Sequence, residues 1–364
     1  MMNNFLSNII MNDYIVHENL CNLHCQYCLG QDAEDYCKDL INSDEKANIK
    51  VRYDSNCNIK KTQDIYEQYI KAEIFQISGG ELFMIENISE FIAEKSSKYE
   101  KVLVLTNGVL LNEKIIKKLA ACNNISVAIS LDGHTQEMNS YRFQSIQVLA
   151  RIIENMKILI KYNIPIVINT VLHNRNIDGI KDFLYFLSEM SGNISVFPII
   201  LRGKASLIHN IGTEKTNIFL EIAEDNVLAE KLAIVPEYFR EIYHVYKTGF
   251  KSFKCYANMF ATETFNNGEV MCCPLNWMKS MGNIFENSPE EIFENLGEDG
   301  IYHLLMKKSQ SLKSCRNCLS HYDVINMYLD SVIDLKTLRK VEFLNTPIII
   351  EKIERLKKAV RDEK

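Results

Sequence analysis

Continuous apolar runs alternate along much of the chain with segments in which apolar residues recur every three or four positions. The runs predict buried strands, at residues 74–78, 101–105, 125–131, 165–172 and 194–200. The amphipathic segments predict helices, at residues 87–98, 112–122, 145–162 and 178–190. Such alternation favours a parallel sheet covered by helices, because each crossover must return across the sheet. A less distinct strand at 14–17 brings the count to about six βα units, fewer than the eight of a complete barrel. The predicted fold class is α/β.

Polar turns follow three of these strands. They read Ser78-Gly79-Gly80-Glu81, Thr106-Asn107-Gly108 and Ser130-Leu131-Asp132-Gly133. In parallel α/β proteins the active site lies at the carboxyl ends of the strands, so we expect these turns to face a common site. Taken alone, each glycine motif also suits an ordinary strand-to-helix turn.

Three cysteines near the amino terminus, Cys21, Cys25 and Cys28, are separated by gaps of three and two residues. Three soft ligands at this spacing can hold an iron-sulfur cluster and leave one iron without a protein ligand. An open position on a metal is where chemistry takes place. A zinc site or three buried core cysteines are the alternatives.

Composition excludes several other classes of protein. The 364 residues carry a formal net charge of -6, which gives no electrostatic footprint for nucleic acid. No apolar run approaches the ~20 residues that span a bilayer, and the first residues lack the pattern of a secretory signal. We therefore interpret the 11 cysteines as metal ligands in the reducing cytoplasm rather than as disulfides.

Cysteines resume in the carboxy-terminal part of the chain. They lie at Cys255, Cys272, Cys273, Cys315 and Cys318, beyond two helices predicted at 213–232 and 236–247. Asn267-Gly268 predicts a hairpin turn between strands at 261–265 and 269–271, since this dipeptide favours positive φ. The spacing also allows a zinc site.

The cysteine triplet, with Tyr27 before its last member, resembles the signature of the radical S-adenosylmethionine (SAM) enzymes, and the later turns occur in the order typical of that superfamily. The resemblance implies a partial (β/α)6 TIM barrel. It also implies that the open iron of a 4Fe-4S cluster chelates SAM. Reductive cleavage then yields a 5'-deoxyadenosyl radical that abstracts hydrogen from a substrate.

The resemblance further implies which residues contact SAM. Glu81 matches a residue for the SAM amino group, Ser130 and Asp132 match residues near the ribose, and Arg142 matches an arginine for the carboxylate. A solvent-exposed helix position is the alternative for Arg142. The complete expected set is Tyr27, Gly79, Gly80, Glu81, Asn107, Ser130, Asp132, Arg142 and Asn169.

The later cysteines, the hairpin and the Arg202-Gly203-Lys204-Ala205 turn resemble the shortened SPASM domain called Twitch. This implies a second, auxiliary 4Fe-4S cluster, held by Cys255, Cys273, Cys315 and Cys318. Cys272 would then be a core residue or a free thiol that donates hydrogen to a substrate radical. The expected domains are a radical SAM core at 1–205, a helical bridge at 206–254, a Twitch domain at 255–330 and carboxy-terminal helices at 331–364.

Enzymes that this architecture resembles modify ribosomally made peptides, activate sulfatases or oxidise small aminocyclitol alcohols. We expect a precursor peptide as substrate and a flavodoxin- or ferredoxin-type electron donor. Only 20 residues precede Cys21, too few for the winged leader-binding domain of many peptide-modifying relatives, which weighs against the peptide without excluding it. A small-molecule alcohol is the alternative substrate. A non-catalytic electron carrier is the third possibility, although it would have no use for the SAM-binding turns.

Overall fold

The computed structural model describes residues 8–17, 20–28, 59–271, 273, 280–288, 290–292, 315 and 317–362. Cys272, the expected hydrogen donor, lies outside the described residues. The described part is built around one sheet whose strands run in the order β6-β5-β4-β3-β2-β1-β7-β8-β9.

Six parallel strands form the core of this sheet and follow one another in chain order. They are β1 Met11–Val16, β2 Ile74–Gly79, β3 Lys101–Thr106, β4 Ile125–Ser130, β5 Ile166–Leu172 and β6 Ile194–Ile200. Each pairs in parallel with the next. The predicted α/β class and the six-stranded partial barrel are therefore confirmed.

Helices connect and follow the strands. The described ones are α1 Ile59–Tyr69, α2 Ile88–Ser96, α3 Glu113–Ala120, α4 Ile146–Lys161, α5 Ile180–Ser188, α6 Gly203–Ile208, α7 Ile218–Ala223, α8 Asn226–Lys231, α9 Pro236–Thr248, α10 Ala257–Phe260, α11 Asp323–Leu329, α12 Leu335–Leu338 and α13 Pro347–Asp362. In the described part, no helix combines the length and apolar character needed to cross a membrane.

The segment predicted as helical over 213–232 is helical but divided into pieces. That segment contains a 3-10 turn at Thr213–Lys215 and then the separate helices α7 and α8. The break falls at Asp225, whose side chain accepts a hydrogen bond from the backbone N–H of Leu228 and so begins a new helix. An aspartate in this position is a strong helix N-cap.

The hairpin predicted around Gly268 is confirmed and extends the barrel sheet. Strands β7 Ala261–Phe265 and β8 Glu269–Met271 pair antiparallel, with Gly268 at φ 92°. Strand β7 also pairs in parallel with β1, and β9 Ser280–Asn283 completes the sheet. One sheet thus contains strands from both sides of residue 255, the expected start of the Twitch domain. The expected division into domains stays a prediction.

The segment after Cys318 packs inside the barrel. Asp13 of β1 and Gln76 of β2 are register partners, and both bind Tyr322: the tyrosine hydroxyl donates to Asp13 Oδ2 over 2.6 Å and accepts from Gln76 Nε2 over 2.9 Å. His321 Nε2 lies 2.8 Å from Gln76 Oε1. All four side chains are buried. The carboxy-terminal part of the chain therefore fills the barrel with hydrogen-bonded polar groups.

Candidate active site at the carboxyl ends of the strands

The cysteine loop, residues 20–28, packs directly on the glycine turn that follows β2. A Cβ atom added to Gly79 would lie 1.9 Å from the carbonyl oxygen of Val16, and one added to Gly80 would lie 2.2 Å from that of Leu20. The backbone N–H of Glu81 donates to the Leu20 carbonyl over 2.7 Å. Gly80 is therefore required for the loop to approach the turn, and Gly79 for the close pairing of the ends of β1 and β2, whatever they contribute to binding a ligand.

The carboxylate of Glu81 bridges neighbouring turns. It accepts hydrogen bonds from the Thr106 hydroxyl over 2.6 Å, the Asn107 backbone N–H over 2.8 Å and the Phe83 backbone N–H over 3.2 Å. Burial raises the pKa of Glu81, and the bonds from Thr106 and Asn107 oppose that rise. The side chain thus fixes the turn after β3, and its contact with the SAM amino group stays a prediction.

Asn107 connects this turn to the first cysteine. Its side-chain amide donates to the Asn22 side-chain oxygen over 2.8 Å and lies 3.9 Å from the Cys21 sulfur. The backbone N–H of Leu23 also donates to that sulfur, over 3.4 Å. N–H groups directed at a sulfur stabilise the thiolate, which is the form that binds metals.

Tyr27, Asp132 and Arg142 form a buried cluster that joins the loop to the end of β4. The Tyr27 hydroxyl donates to Asp132 Oδ2. Arg142 contacts both carboxylate oxygens, with Nη2 at 3.0 Å from Oδ1 and Nε at 2.9 Å from Oδ2. Arg142 is 9% exposed, so the interpretation of a solvent-exposed helix residue is wrong. Its contact with a SAM carboxylate stays a prediction.

Charge compensation decides the protonation of this cluster. Burial pushes the pKa of Asp132 upward, but Arg142 and His173 outweigh it and the net pKa is lowered. Asp132 is therefore ionised and Arg142 is protonated at neutral pH. Burial raises the pKa of the Cys25 thiol to about 11, and the Arg142 charge opposes that rise.

Ser130 and Asn169 lie side by side at the ends of β4 and β5, where they are register partners. The Asn169 side chain is 8% exposed, and its Oδ1 atom is a buried acceptor without a hydrogen-bond partner in the described structure. Buried acceptors are rarely left unsatisfied, which marks this atom as one that a ligand would satisfy. With the cysteine loop beside these strands, the residues fit a cluster and a polar ligand.

The three sulfurs of the loop influence one another electrostatically. Burial is the main cause that raises the pKa of Cys21, and the charge of Cys28 adds to it. Among the described His, Cys, Asp and Glu side chains, no three are placed to hold one metal ion. In a 4Fe-4S cluster each cysteine binds its own iron.

Sequence reasoning missed two aromatic neighbours of the cluster. The buried His173 ring stacks on Tyr27, with ring centroids 6.1 Å apart, and its Nε2 lies 3.6 Å from Asp132 Oδ2. Tyr141 contacts His173 edge-on with ring centroids 4.9 Å apart, and its carbonyl oxygen accepts from Gln26 N–H over 2.9 Å. The only available signal was that His173 follows β5 at the same edge of the sheet.

The second cysteine group, Cys255, Cys273, Cys315 and Cys318, lies at the carboxy-terminal part of the fold. Cys273 and Cys315 are buried. Asn326 Nδ2 donates to the Cys255 sulfur over 3.6 Å, and Arg202 Nη1 donates to the Cys318 sulfur over 3.5 Å. The sulfurs of Cys255 and Cys318 therefore accept hydrogen bonds from nitrogen donors, as the sulfurs of an iron-sulfur centre do.

Comparison with known proteins places the chain among relatives of several kinds. An uncharacterised protein of Methanocaldococcus jannaschii is 26% identical over 280 residues, which cover 73% of this chain and 86% of the relative. The subtilosin biosynthesis protein AlbA of Bacillus subtilis is 25% identical over 284 residues, 76% of this chain and 57% of AlbA. Among solved structures, anSMEcpe with bound AdoMet has a TM-score of 0.57 at 17% identity, covering 96% of this chain and 97% of anSMEcpe. This structural likeness shows the fold.

Residues 15–187 match the model of the Radical SAM superfamily. This region contains the cysteine loop, the glycine turn and the Tyr27–Asp132–Arg142 cluster, and it is the part that forms most of the parallel barrel. The superfamily implies SAM and a 4Fe-4S cluster as cofactors. Residues 15–187 are thus a radical SAM domain.

Proposed function

We propose that this chain is a radical SAM enzyme that matures a ribosomally synthesised peptide by crosslinking or epimerisation. The observation that carries the proposal is the alignment with AlbA, a bacteriocin biosynthesis protein. The alignment covers 284 residues, which is well beyond the length of the matched radical SAM domain at 15–187. The similarity to AlbA therefore includes residues outside the region that matches the superfamily model. A cytoplasmic location and a flavodoxin- or ferredoxin-type electron donor belong to the same proposal.

Different residues bind the cluster, contact SAM and position the cysteine loop at the first site. Cys21, Cys25 and Cys28 would hold the cluster, and the bound cluster and SAM would together supply a 5'-deoxyadenosyl radical. The buried Oδ1 of Asn169 supports a SAM contact at the end of β5. The Tyr27–Asp132 bond holds the loop to the end of β4.

The second cysteine group belongs to the proposal as an auxiliary 4Fe-4S site of the Twitch type. The contacts of Arg202 and Asn326 with two of its sulfurs support it. A zinc site on the same four cysteines is the competing assignment, and it would contain no iron.

An anaerobic assay with dithionite and SAM tests the first site. Wild-type protein should release 5'-deoxyadenosine, and Cys25→Ala should abolish the release while iron at the second site remains. Cys122, a partly exposed cysteine on the outer surface after α3, provides the matched control, and Cys122→Ala should behave as wild type. Release by Cys25→Ala at the wild-type rate would contradict the assignment of the cluster.

Mass spectrometry of peptides encoded beside the gene tests the substrate. Modification of a peptide that depends on SAM and on Cys25 would support peptide maturation. Crosslinking by oxidation removes two hydrogens, whereas epimerisation leaves the mass unchanged in ordinary water and is detected by deuterium incorporated from heavy water. Release of 5'-deoxyadenosine without any peptide change would contradict the peptide proposal and favour a small-molecule substrate.

Iron and sulfide analysis tests the second site and the roles of its adjacent cysteines. We expect Cys273→Ala to lower the iron content by about one cluster and Cys272→Ala to leave it intact. The reverse result would exchange the two roles. If Cys272 is a hydrogen donor, Cys272→Ala should lose product formation but still cleave SAM, and a fully active variant would make it a packing residue.

A further inference from the structure

Arg202 occupies a position between the barrel edge and the second cysteine group. It follows β6, which ends at Ile200, and precedes the first residue of α6. It therefore begins at the edge of the sheet where Ser130 and Asn169 also lie. Its guanidinium Nη1 reaches the Cys318 sulfur at 3.5 Å, so one side chain connects the barrel to that group.

The buried Lys251 lies near the sulfurs of Cys255 and Cys318, and its charge is compensated by a carboxylate. Lys251 Nζ lies 3.0 Å from Asp323 Oδ1, and both side chains are almost completely buried, at 1% and 2% exposure. Asp323 is held in turn by the Ser320 backbone N–H over 2.9 Å and by Asn326 Nδ2 over 3.0 Å. The Lys251–Asp323 pair as a whole therefore adds no net charge beside the cysteines.

The contact at the Cys255 sulfur is neutral. Asn326 Nδ2 donates to Cys255 Sγ over 3.6 Å, and the Asn326 side-chain oxygen accepts from the Tyr256 backbone N–H over 2.7 Å. This asparagine is fixed at both ends but brings no charge. Of these two hydrogen bonds to sulfur, the one from Arg202 therefore carries the positive charge.

We propose that Arg202 is a positioning residue that sets the reduction potential of the second cysteine centre. The inference rests on the proposed function, in that the centre must be an iron-sulfur cluster. Net charge and hydrogen bonds to the sulfurs are among the levers by which a protein sets such a potential. One-electron reduction adds a negative charge to the centre, and the guanidinium stabilises that charge through Cys318. Arg202 therefore makes the centre easier to reduce.

Potentiometric titration followed by electron paramagnetic resonance tests the proposal without an activity assay. The titration uses full-length protein with Cys21, Cys25 and Cys28 all changed to alanine, so that the signal comes from the second centre. In this background we expect Arg202→Gln to shift the midpoint potential to more negative values and Arg202→Lys, which keeps the charge, to shift it less. Arg175→Gln is the matched control, because the Arg175 guanidinium binds the Ser140 hydroxyl at 2.7 Å and the Tyr141 ring.

The outcomes separate this inference from the proposed function. If the background protein contains no iron, or contains zinc, the auxiliary cluster of the proposed function fails. If the cluster is present and Arg202→Gln has the parental potential, the inference about Arg202 fails while the cluster stands. Loss of the cluster from both Arg202 variants, with secondary structure retained, would also overturn it, because Arg202 would then be needed to assemble the centre.

Discussion

The Tyr27 hydroxyl donates a hydrogen bond to Asp132 and thereby fastens the cysteine loop to the end of β4. The two residues are 105 positions apart, and both are buried. A loop that must hold a cluster in one orientation is thus held by a bond to an ionised carboxylate, which is stronger than a bond between neutral groups.

Tyr27→Phe should destabilise the protein, because it removes this bond while Asp132 keeps Arg142 and the Val171 backbone N–H. We expect the free energy of unfolding to fall by about 1.5–3 kcal/mol, the usual contribution of a hydrogen bond to a charged group. Urea denaturation measures it. Tyr162→Phe is the control, since Tyr162 bonds the exposed Glu113 over 2.8 Å and should cost less. Equal losses of stability in the two variants would show that the Tyr27 bond contributes no more than the bond of Tyr162 at the surface.

Arg142→Met should be more costly, because it leaves the Asp132 carboxylate buried without its cation. Breaking one partner of a buried pair costs about 3–5 kcal/mol. Arg240→Met, which breaks a surface pair with Glu237 at 3.6 Å, should change stability by less than about 1 kcal/mol. Urea denaturation of both variants measures the two losses, and equal losses would contradict a buried ion pair at Asp132.

Arg142→Met should also change how the free energy of unfolding depends on pH. In the wild type the pKa of Asp132 lies below its ordinary 3.8, so its contribution to stability is present above that pH and is lost as the pH falls through the lowered value. Without Arg142 burial dominates, and the pKa of Asp132 rises. Unfolding curves between about pH 4 and 7 should then show Arg142→Met regaining stability, relative to wild type, as the pH falls. A difference that is constant with pH would contradict the assigned charge state.

Gly80→Ala should displace the cysteine loop, because the new Cβ would lie 2.2 Å from the rigid backbone oxygen of Leu20. We expect a loss of about 1–3 kcal/mol from overpacking and a lower iron content at the first site, with the second site retained. Gly179→Ala is the control, since its nearest neighbour is the flexible Met138 side chain at 3.2 Å. Full iron content at both sites in Gly80→Ala would show that the loop tolerates the shift.

Asn169→Ala should weaken SAM binding to the reconstituted protein, because it removes the buried acceptor that has no partner in the described structure. A lost hydrogen bond of about 1 kcal/mol corresponds to roughly a fivefold higher dissociation constant. Equilibrium dialysis with labelled SAM measures it. Asn112→Ala, at the exposed N-cap of α3, should leave SAM affinity unchanged. Equal affinities for wild type and Asn169→Ala would remove Asn169 from the site.

Asp13 provides a second pH-dependent prediction. Burial raises its pKa from 3.8 to about 6, and the bonds from Tyr322 and Gln76 oppose that rise. The folded state therefore holds a proton that the unfolded state releases between about pH 4 and 6, and the contribution of Asp13 to stability decreases by about 3 kcal/mol as the pH rises across that range. The asparagine side chain in the Asp13→Asn variant does not titrate, so the variant should gain stability relative to wild type as the pH rises.

Denaturation of both proteins at pH 4, 5, 6 and 7 checks this prediction, with Asp178→Asn as the control. Asp178 is 71% exposed and pairs with Lys215 on the surface. Parallel stability curves for wild type and Asp13→Asn would contradict a raised pKa for Asp13.

Periodicity predicted the elements that depend on local sequence. Strand β6 lies at Ile194–Ile200, as expected from its apolar run, because a strand buried on both faces needs continuous apolar residues. The helical segment expected over 213–232 is divided because the capping preference of Asp225 outweighs an apolar pattern that continues past it. Local capping can end a helix that hydrophobic spacing alone would extend.

Side-chain partners outside a single helix or strand were beyond such reasoning. Arg142 was assigned from a resemblance to bind a ligand, and the structure pairs it with Asp132, ten residues earlier. Tyr322 and Asp13 are 309 positions apart, and neither lies in a motif. Their contact depends on the path by which the carboxy-terminal segment enters the barrel, which no local pattern encodes.

That path has a consequence for how the protein is made. Strands β1 and β2 emerge from the ribosome before Tyr322, so the polar groups of Asp13 and Gln76 obtain this partner only after a further 309 and 246 residues have been added. Until then these two polar side chains, which are buried in the folded protein, can form hydrogen bonds to water in place of Tyr322. Closure of the barrel interior around Asp13 and Gln76 therefore requires synthesis to pass residue 322.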